Sequence, residues 1–347
     1  MSKGFKIWMC FVLVIMLGLI LLTKTNILTN SGFATTKYND EEMQAIIDKV
    51  DEGQRFIVLN RMGHSDFNHL IDVLYDAPEL FWLDLEYHAL SIGDLSILFL
   101  KEKYDDIDAK RAEIDRTVDA KLEQIITDDM SEYDKVLAIH DWICKSVEYK
   151  TVKNDSDQDI YGAFILNQAV CAGYAKAFSY ALDKVGIESE VISGDSINRN
   201  GDSVAHAWNI VYIDDKPYYF DITWDDDYND EVSYVWFGVT SSEFKTTHFP
   251  NTGYNWVEAE ETKHCYYRKN GMYMDSYSAE FLAKQIRAQG KEFTIKCASR
   301  KVLNDTIRSF TTKSELQKLM RATGITFIDR IIYEEVKGSN CLHVKIM

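Results

Sequence analysis

Proline is nearly missing from this 347-residue chain, with three in all, and no stretch is of low complexity or repeats another. Those absences argue against long disordered linkers, and a hydrophobic fraction of 46% can bury a substantial core. Acidic residues are absent from the first 34 positions, where Lys3 and Lys6 precede the apolar run from Ile7 to Leu22. Such a segment is an export signal or a membrane anchor. Gly32 and Ala34 are small enough for cleavage but lie about twelve residues past the run, beyond the usual cleavage geometry. An uncleaved anchor is therefore expected, with its lysines inside and the body of the protein outside the cytoplasm; secretion after cleavage is the alternative.

Basic charge is scarce too: beyond residue 34 the chain holds 35 basic and 55 acidic residues, a net of −20. That balance excludes nucleic acid as an expected partner and reads as solubility. Zinc spacing is absent from the six cysteines. Cys10 lies in the apolar run, while Cys144, Cys265, Cys297 and Cys341 read as buried free thiols; Cys297 and Cys341 sit in strand-like stretches that a disulfide could join if adjacent. The acids Asp225, Asp226, Asp227, Asp230 and Glu231 lack the spacing of a calcium loop and read as solvated. No metal or cofactor is expected.

What is present reads first as helix, with residues 35–130 forming a helical N-terminal region in which Ile107, Ile114, Val118, Leu122 and Ile125 recur at helical spacing. Ser131 caps a further helix whose apolar stripe is Val136, Ile139, Ile143 and Val147; His140 and Asp141 on it read as structural. Residues 131–250 form a core of helix followed by antiparallel strands, and residues 251–347 a small α/β module. The fold class is α+β.

In NQAVCAGYAKAF, Cys171 begins a helix that runs toward Gly186, with Ala175, Phe178, Leu182 and Val185 on its apolar face. Unpaired amides and the positive dipole end favour a thiolate there, Ala172 and Gly173 leave the sulfur approachable, and the same amides suit an oxyanion. A nucleophilic thiol also needs a base and a group to orient it, and His206 and Asp221 are the candidates. If VAHAWNIVYI and KPYYFDITW turn at Asp214 and Asp215, Ile213 pairs with Lys216 and Asp221 is diagonal to His206 on one face, about 7 Å away. A slip of one residue would put the two on opposite faces. Gln168 and Tyr161 are candidates for a second oxyanion donor. Trp208 and Trp224 either wall the site or pack beneath the sheet.

The stretch AVCAGYAKAFSYALDKVGIESEVISG, then AHAWNIVYI, then KPYYFDITWDD resembles the core of bacterial transglutaminase-like proteins over residues 161–226. These belong to a superfamily that also includes papain-like folds. The resemblance implies a catalytic Cys171, His206 and Asp221 attacking protein or peptide amides through a thioester, in a membrane-anchored or secreted protein. Water would make the enzyme a cysteine peptidase or amidase, and an amine would make it a transglutaminase. The alternative is a cell-surface or wall-associated binding module that retains the core without turnover.

Overall fold

The computed structural model describes residues 40–60, 63–84, 86–92, 95–226, 232–324 and 328–347. The expected anchor or signal segment, residues 1–34, lies outside them. Among the described residues no helix is long and apolar enough to cross a membrane. The chain divides into two units, Met1–Asp105 and Asp106–Met347.

The first unit contains α1 (Asp40–Asp51), β1 (Phe56–Asn60), α2 (His64–Asp76), β2 (His88–Ile92) and β3 (Leu95–Phe99). The three strands make an antiparallel sheet in the order β1-β3-β2. Helical periodicity did not anticipate this sheet, although α1 and α2 are the helices expected of the region. FIVLN and LSILF are short branched runs whose pairing, Phe56 with Phe99 through Asn60 with Leu95, joins segments far apart in sequence. Ile57, Leu59, Leu70, Leu74 and Leu98 are buried in this unit.

The second unit opens with α3 (Ile107–Ile125), capped by the Asp106 carboxylate, and α4 (Glu132–Ser146), which begins with the expected Ser131 cap and a reciprocal bond to Asp134. The sequence reading groups α3 with the N-terminal region. In the structure it is tied to the helix that carries Cys171, because Asp115 accepts from Tyr180 at 2.6 Å and Lys184 at 2.5 Å.

β4 (Glu148–Tyr149) pairs in parallel with β5 (Gln168–Ala169), and α5 (Cys171–Asp183) follows. Then come β6 (Ser189–Ile197), β7 (Ser203–Ile213), β8 (Lys216–Phe220), a one-turn α6 (Ile222–Asp225), β9 (Phe237–Val239), α7 (Ser241–Phe244) and β10 (His248–Pro250). The five strands form an antiparallel sheet in the order β10-β6-β7-β8-β9. Strand alternation gives β7 two roles. Ala207 packs with Ala175 of α5, whereas Trp208 and Ile210 join the aromatic cluster of Trp236 and Phe244.

The remainder is α8 (Tyr266–Lys269), β11 (Tyr273–Met274), α9 (Ala279–Gln289), β12 (Glu292–Cys297), α10 (Arg300–Thr311), α11 (Lys313–Thr323), β13 (Ile331–Glu335) and β14 (Cys341–Ile346). Its sheet runs β11-β12-β14-β13 over a core that includes Leu282, Ile295, Leu303, Leu319 and Val344. Cys144, Cys265, Cys297 and Cys341 are buried free thiols, as expected, and burial pushes each one's pKa up. Cys171 is the partly exposed one among the described residues.

Candidate active site

Cys171 is the first residue of α5, and Val170 at the cap offers no side-chain acceptor to the helix amides. The start of the helix is therefore left polar and open. The backbone before it is held from below: Val170 N–H donates to Asp157 O at 2.9 Å, and the Asp157 carboxylate accepts from Val152 N–H at 2.9 Å. Gly173 serves this packing rather than clearance for the sulfur. A Cβ there would lie 2.4 Å from Asp157 O and 2.8 Å from Ala169 Cβ. Gly173→Ala is expected to lower stability by about 1–3 kcal/mol and to displace the helix start, measurable by thermal melting together with Cys171 alkylation.

The β7–β8 hairpin has the anticipated register, with Ile213 opposite Lys216 and Asn209 opposite Phe220. Its two turn residues, Asp214 and Asp215, have φ of 52° and 58°, the left-handed pair of a tight hairpin. Lys263 and His264 hold the Asp214 carboxylate at 2.6 and 2.9 Å, which offsets the strain of the turn. This register brings Asp221 to His206. Asp221 lies just past the end of β8, where it caps α6 with Oδ1 accepting from Trp224 N–H at 3.1 Å. Its Oδ2 accepts from His206 Nε2 at 2.7 Å.

The His206 ring is buried, and the Cys171 side chain is near enough to act on its charge. Because Nε2 is engaged by Asp221, Nδ1 is the nitrogen left to meet the thiol. Burial alone would lower the His206 pKa, but the Asp221 carboxylate and the Cys171 side chain raise it to about 10. Burial likewise opposes the Asp221 charge, yet the two imidazoles hold this carboxyl well below the ordinary range. The stability contributions therefore have opposite limbs. That of His206 is complete below its unfolded value of about pH 6.5 and is lost as pH rises toward about 10. That of Asp221 is present above about pH 4 and is lost on acidification. Thermal melts between these upper limits should show wild type losing stability with pH more steeply than His206→Gln.

Trp224 stacks on His206 with ring centroids 5.3 Å apart, so it walls the imidazole. Trp208 is buried in the aromatic core beside it. Neither oxyanion candidate is free. Gln168 directs its amide to Glu148 at 3.3 Å, and Tyr161 directs its hydroxyl to Glu113 at 3.2 Å under the Lys110 ammonium.

Two residues were not anticipated here. His248 Nε2 lies 3.1 Å from the same Asp221 Oδ2. Asp225, expected in a solvated loop, is fully buried at the other end of α6, where it accepts from Trp236 N–H at 3.0 Å and meets His140 Nε2 at 3.3 Å. Asp226 accepts from the Tyr174 hydroxyl. Asp227, Asp230 and Glu231 lie outside the described residues. His140 is buried and Asp141 binds Lys145 and Tyr234, so both serve structure as expected. Ligand atoms of His206, Asp221 and His248 fall within 4.8 Å of one another, close enough for a metal. Both Nε2 atoms already bond the carboxylate, so protons fill the place an ion would take.

Residues 119–222 match the family model described as the transglutaminase-like superfamily, and the match contains Cys171, His206 and Asp221. This segment is similar to a transglutaminase-like core. The kyphoscoliosis peptidase of Mus musculus is 27% identical over 136 residues, which cover 35% of this chain and 20% of that protein. The chain thus spans about a fifth of the length of that relative. Among solved structures, one described as a TGase has a TM-score of 0.29 at 16% identity, covering 57% of this chain and 51% of its own. A candidate cysteine protease from Cytophaga hutchinsonii has a TM-score of 0.26 at 16% identity, covering 40% and 61%. The matched segment ends at Ile222, the first residue of α6, before His248.

Proposed function

We propose that this protein is a thiol enzyme acting on protein or peptide amides, with Cys171 as nucleophile, His206 as acid and base, and Asp221 as the group that orients the imidazole. The observation that carries this is the 2.7 Å bond from His206 Nε2 to Asp221 Oδ2, made by a ring whose charge the cysteine at an uncapped helix start acts on. The thiolate adds to the amide carbonyl and forms a C–S bond and an oxyanion. Collapse breaks the C–N bond as the His206 imidazolium gives its proton to the departing amine, which leaves a thioester on Cys171. Water or a second amine then adds to the thioester carbonyl as His206 takes its proton, and cleavage of the C–S bond releases an acid or a new amide and restores the Cys171 sulfur. Amides at the start of α5 are placed to receive the oxyanion.

The apolar run from Ile7 to Leu22 supports a body held outside the cytoplasm by an N-terminal anchor, where surface or wall proteins would be substrates. One observation favours the second reading, a binding module: Gln168 and Tyr161 are both bound to carboxylates, which leaves a second oxyanion donor unassigned. The two are separated by mass spectrometry of peptide mixtures with and without an added primary amine. Cys171-dependent cleavage or amine incorporation is expected, absent in Cys171→Ala. Identical spectra for wild type and variant, together with an unreactive Cys171, would overturn the enzyme reading.

A further inference from the structure

The Asp221 carboxylate serves two imidazoles, and a Cys-His-Asp arrangement accounts for one of them. Its Oδ2 accepts from His206 Nε2 at 2.7 Å and from His248 Nε2 at 3.1 Å, while Oδ1 is occupied by the Trp224 amide. His248 comes from β10, the edge strand paired to β6, and is fully buried. Phe244 stacks on its ring at 3.7 Å, and Trp224, Trp208 and Trp236 surround it with centroids 4.7, 5.0 and 5.4 Å away. Thr247 Oγ1 lies 3.0 Å from Nδ1. One tautomer satisfies both contacts: Nε2–H donates to Asp221, and Nδ1 accepts the Thr247 hydroxyl proton.

A ring held in this way is a neutral donor aimed at the oxygen that His206 also uses. Such a donor draws negative charge off that oxygen and fixes its direction. We propose that His248 is a positioning residue, which anchors Asp221 Oδ2 and limits how tightly that oxygen holds the His206 imidazolium. This rests on the catalytic reading of Cys171, His206 and Asp221. The titratable groups that bear on the arrangement are His206 and His248 facing Asp221, Cys171 facing His206, and Asp225 acting on Asp221 from the far end of α6. Burial in the aromatic cage lowers the His248 pKa despite its carboxylate partner, which keeps the ring neutral. Without this donor, the Asp221 charge concentrates on His206 and retains the imidazolium to higher pH.

The test is the second-order rate of Cys171 alkylation by iodoacetamide from about pH 4 to about pH 12 in the full chain, where the upper breakpoint reports loss of the imidazolium. His248→Phe is expected to move that breakpoint up by about one pH unit. His248→Gln, whose amide can still donate to Asp221, should stay within about 0.3 unit of wild type. An unchanged breakpoint in folded His248→Phe, or an equal shift in both variants, would overturn the proposal and leave the catalytic reading standing. A wild-type Cys171 that reacts as an ordinary thiol would remove the catalytic reading and this proposal with it. Nitrogen NMR of the wild type reads the same point without any substitution: His248 should remain the neutral Nε2–H tautomer while His206 titrates. An Nδ1–H tautomer, or protonation of His248 in step with His206, contradicts the proposal.

Discussion

Asp221→Asn is expected to slow alkylation of Cys171 near pH 6 by about a hundredfold in a protein that still folds. The amide keeps an oxygen for the Trp224 N–H that caps α6, so the local turn is preserved. What is lost is the charge that opposes the His206 imidazolium. Without that charge His206 no longer holds its proton so firmly, and the positive charge that assists attack by the neighbouring sulfur is lost. Turnover should fall further, by about a thousandfold or more, because the amide can also hold the imidazole in the wrong tautomer. Asp221→Ala adds a stability loss of about 3–5 kcal/mol, since two buried imidazoles and a helix cap lose one shared acceptor. An Asp221→Asn protein that is alkylated at the wild-type rate would show that the 2.7 Å bond does not activate the thiol.

Lys296→Met should cost about 3–5 kcal/mol, visible as a melting temperature lower by roughly 6–15 °C. The Lys296 ammonium, with 1% of its side chain exposed, lies 2.9 Å from Glu243 Oε1 and donates to Val235 O at 2.7 Å. Burial disfavours its charge, and Glu243 more than compensates, holding its pKa above the ordinary lysine range. Removing one partner strands the other in a low-dielectric interior. Glu243→Leu combined with Lys296→Met is expected to lie closer to wild type than either change alone. The pair also links β12 to the active site through adjacent residues: Trp236, which follows Val235, accepts from Asp221 N–H at 3.3 Å and donates to Asp225. A single variant that melts within about 1 °C of wild type would show the pair to be dispensable.

The parts of the site that were legible in the sequence are those encoded within one or two adjacent elements. The helix start in AVCAGYAKAF, the Asp214–Asp215 turn and strand parity are local, and together they bring Asp221 to His206. His248 was not legible because β10 is three residues long and reaches Asp221 only by pairing with β6, some fifty residues earlier in the chain. Asp225 was misread for the opposite reason. It opens an acidic run that looks solvated, but capping of α6 by Asp221 turns the chain so that Asp225 points inward, onto the Trp236 amide. Gly173 was assigned to the sulfur, whereas the backbone of Asp157 beneath the helix dictates it. The strands of the first unit escaped a reading based on period because five-residue branched runs carry little periodic signal.

The central claim is that His206 and Asp221 activate the Cys171 thiol, and its most direct measurement is the alkylation rate of Cys171 near pH 6 in wild type and His206→Ala. The account predicts a wild-type rate about a hundredfold above that of a free thiol, falling to the free-thiol rate in the variant. A Cys171 that reacts no faster than a free thiol, or equally fast in both proteins, would contradict it.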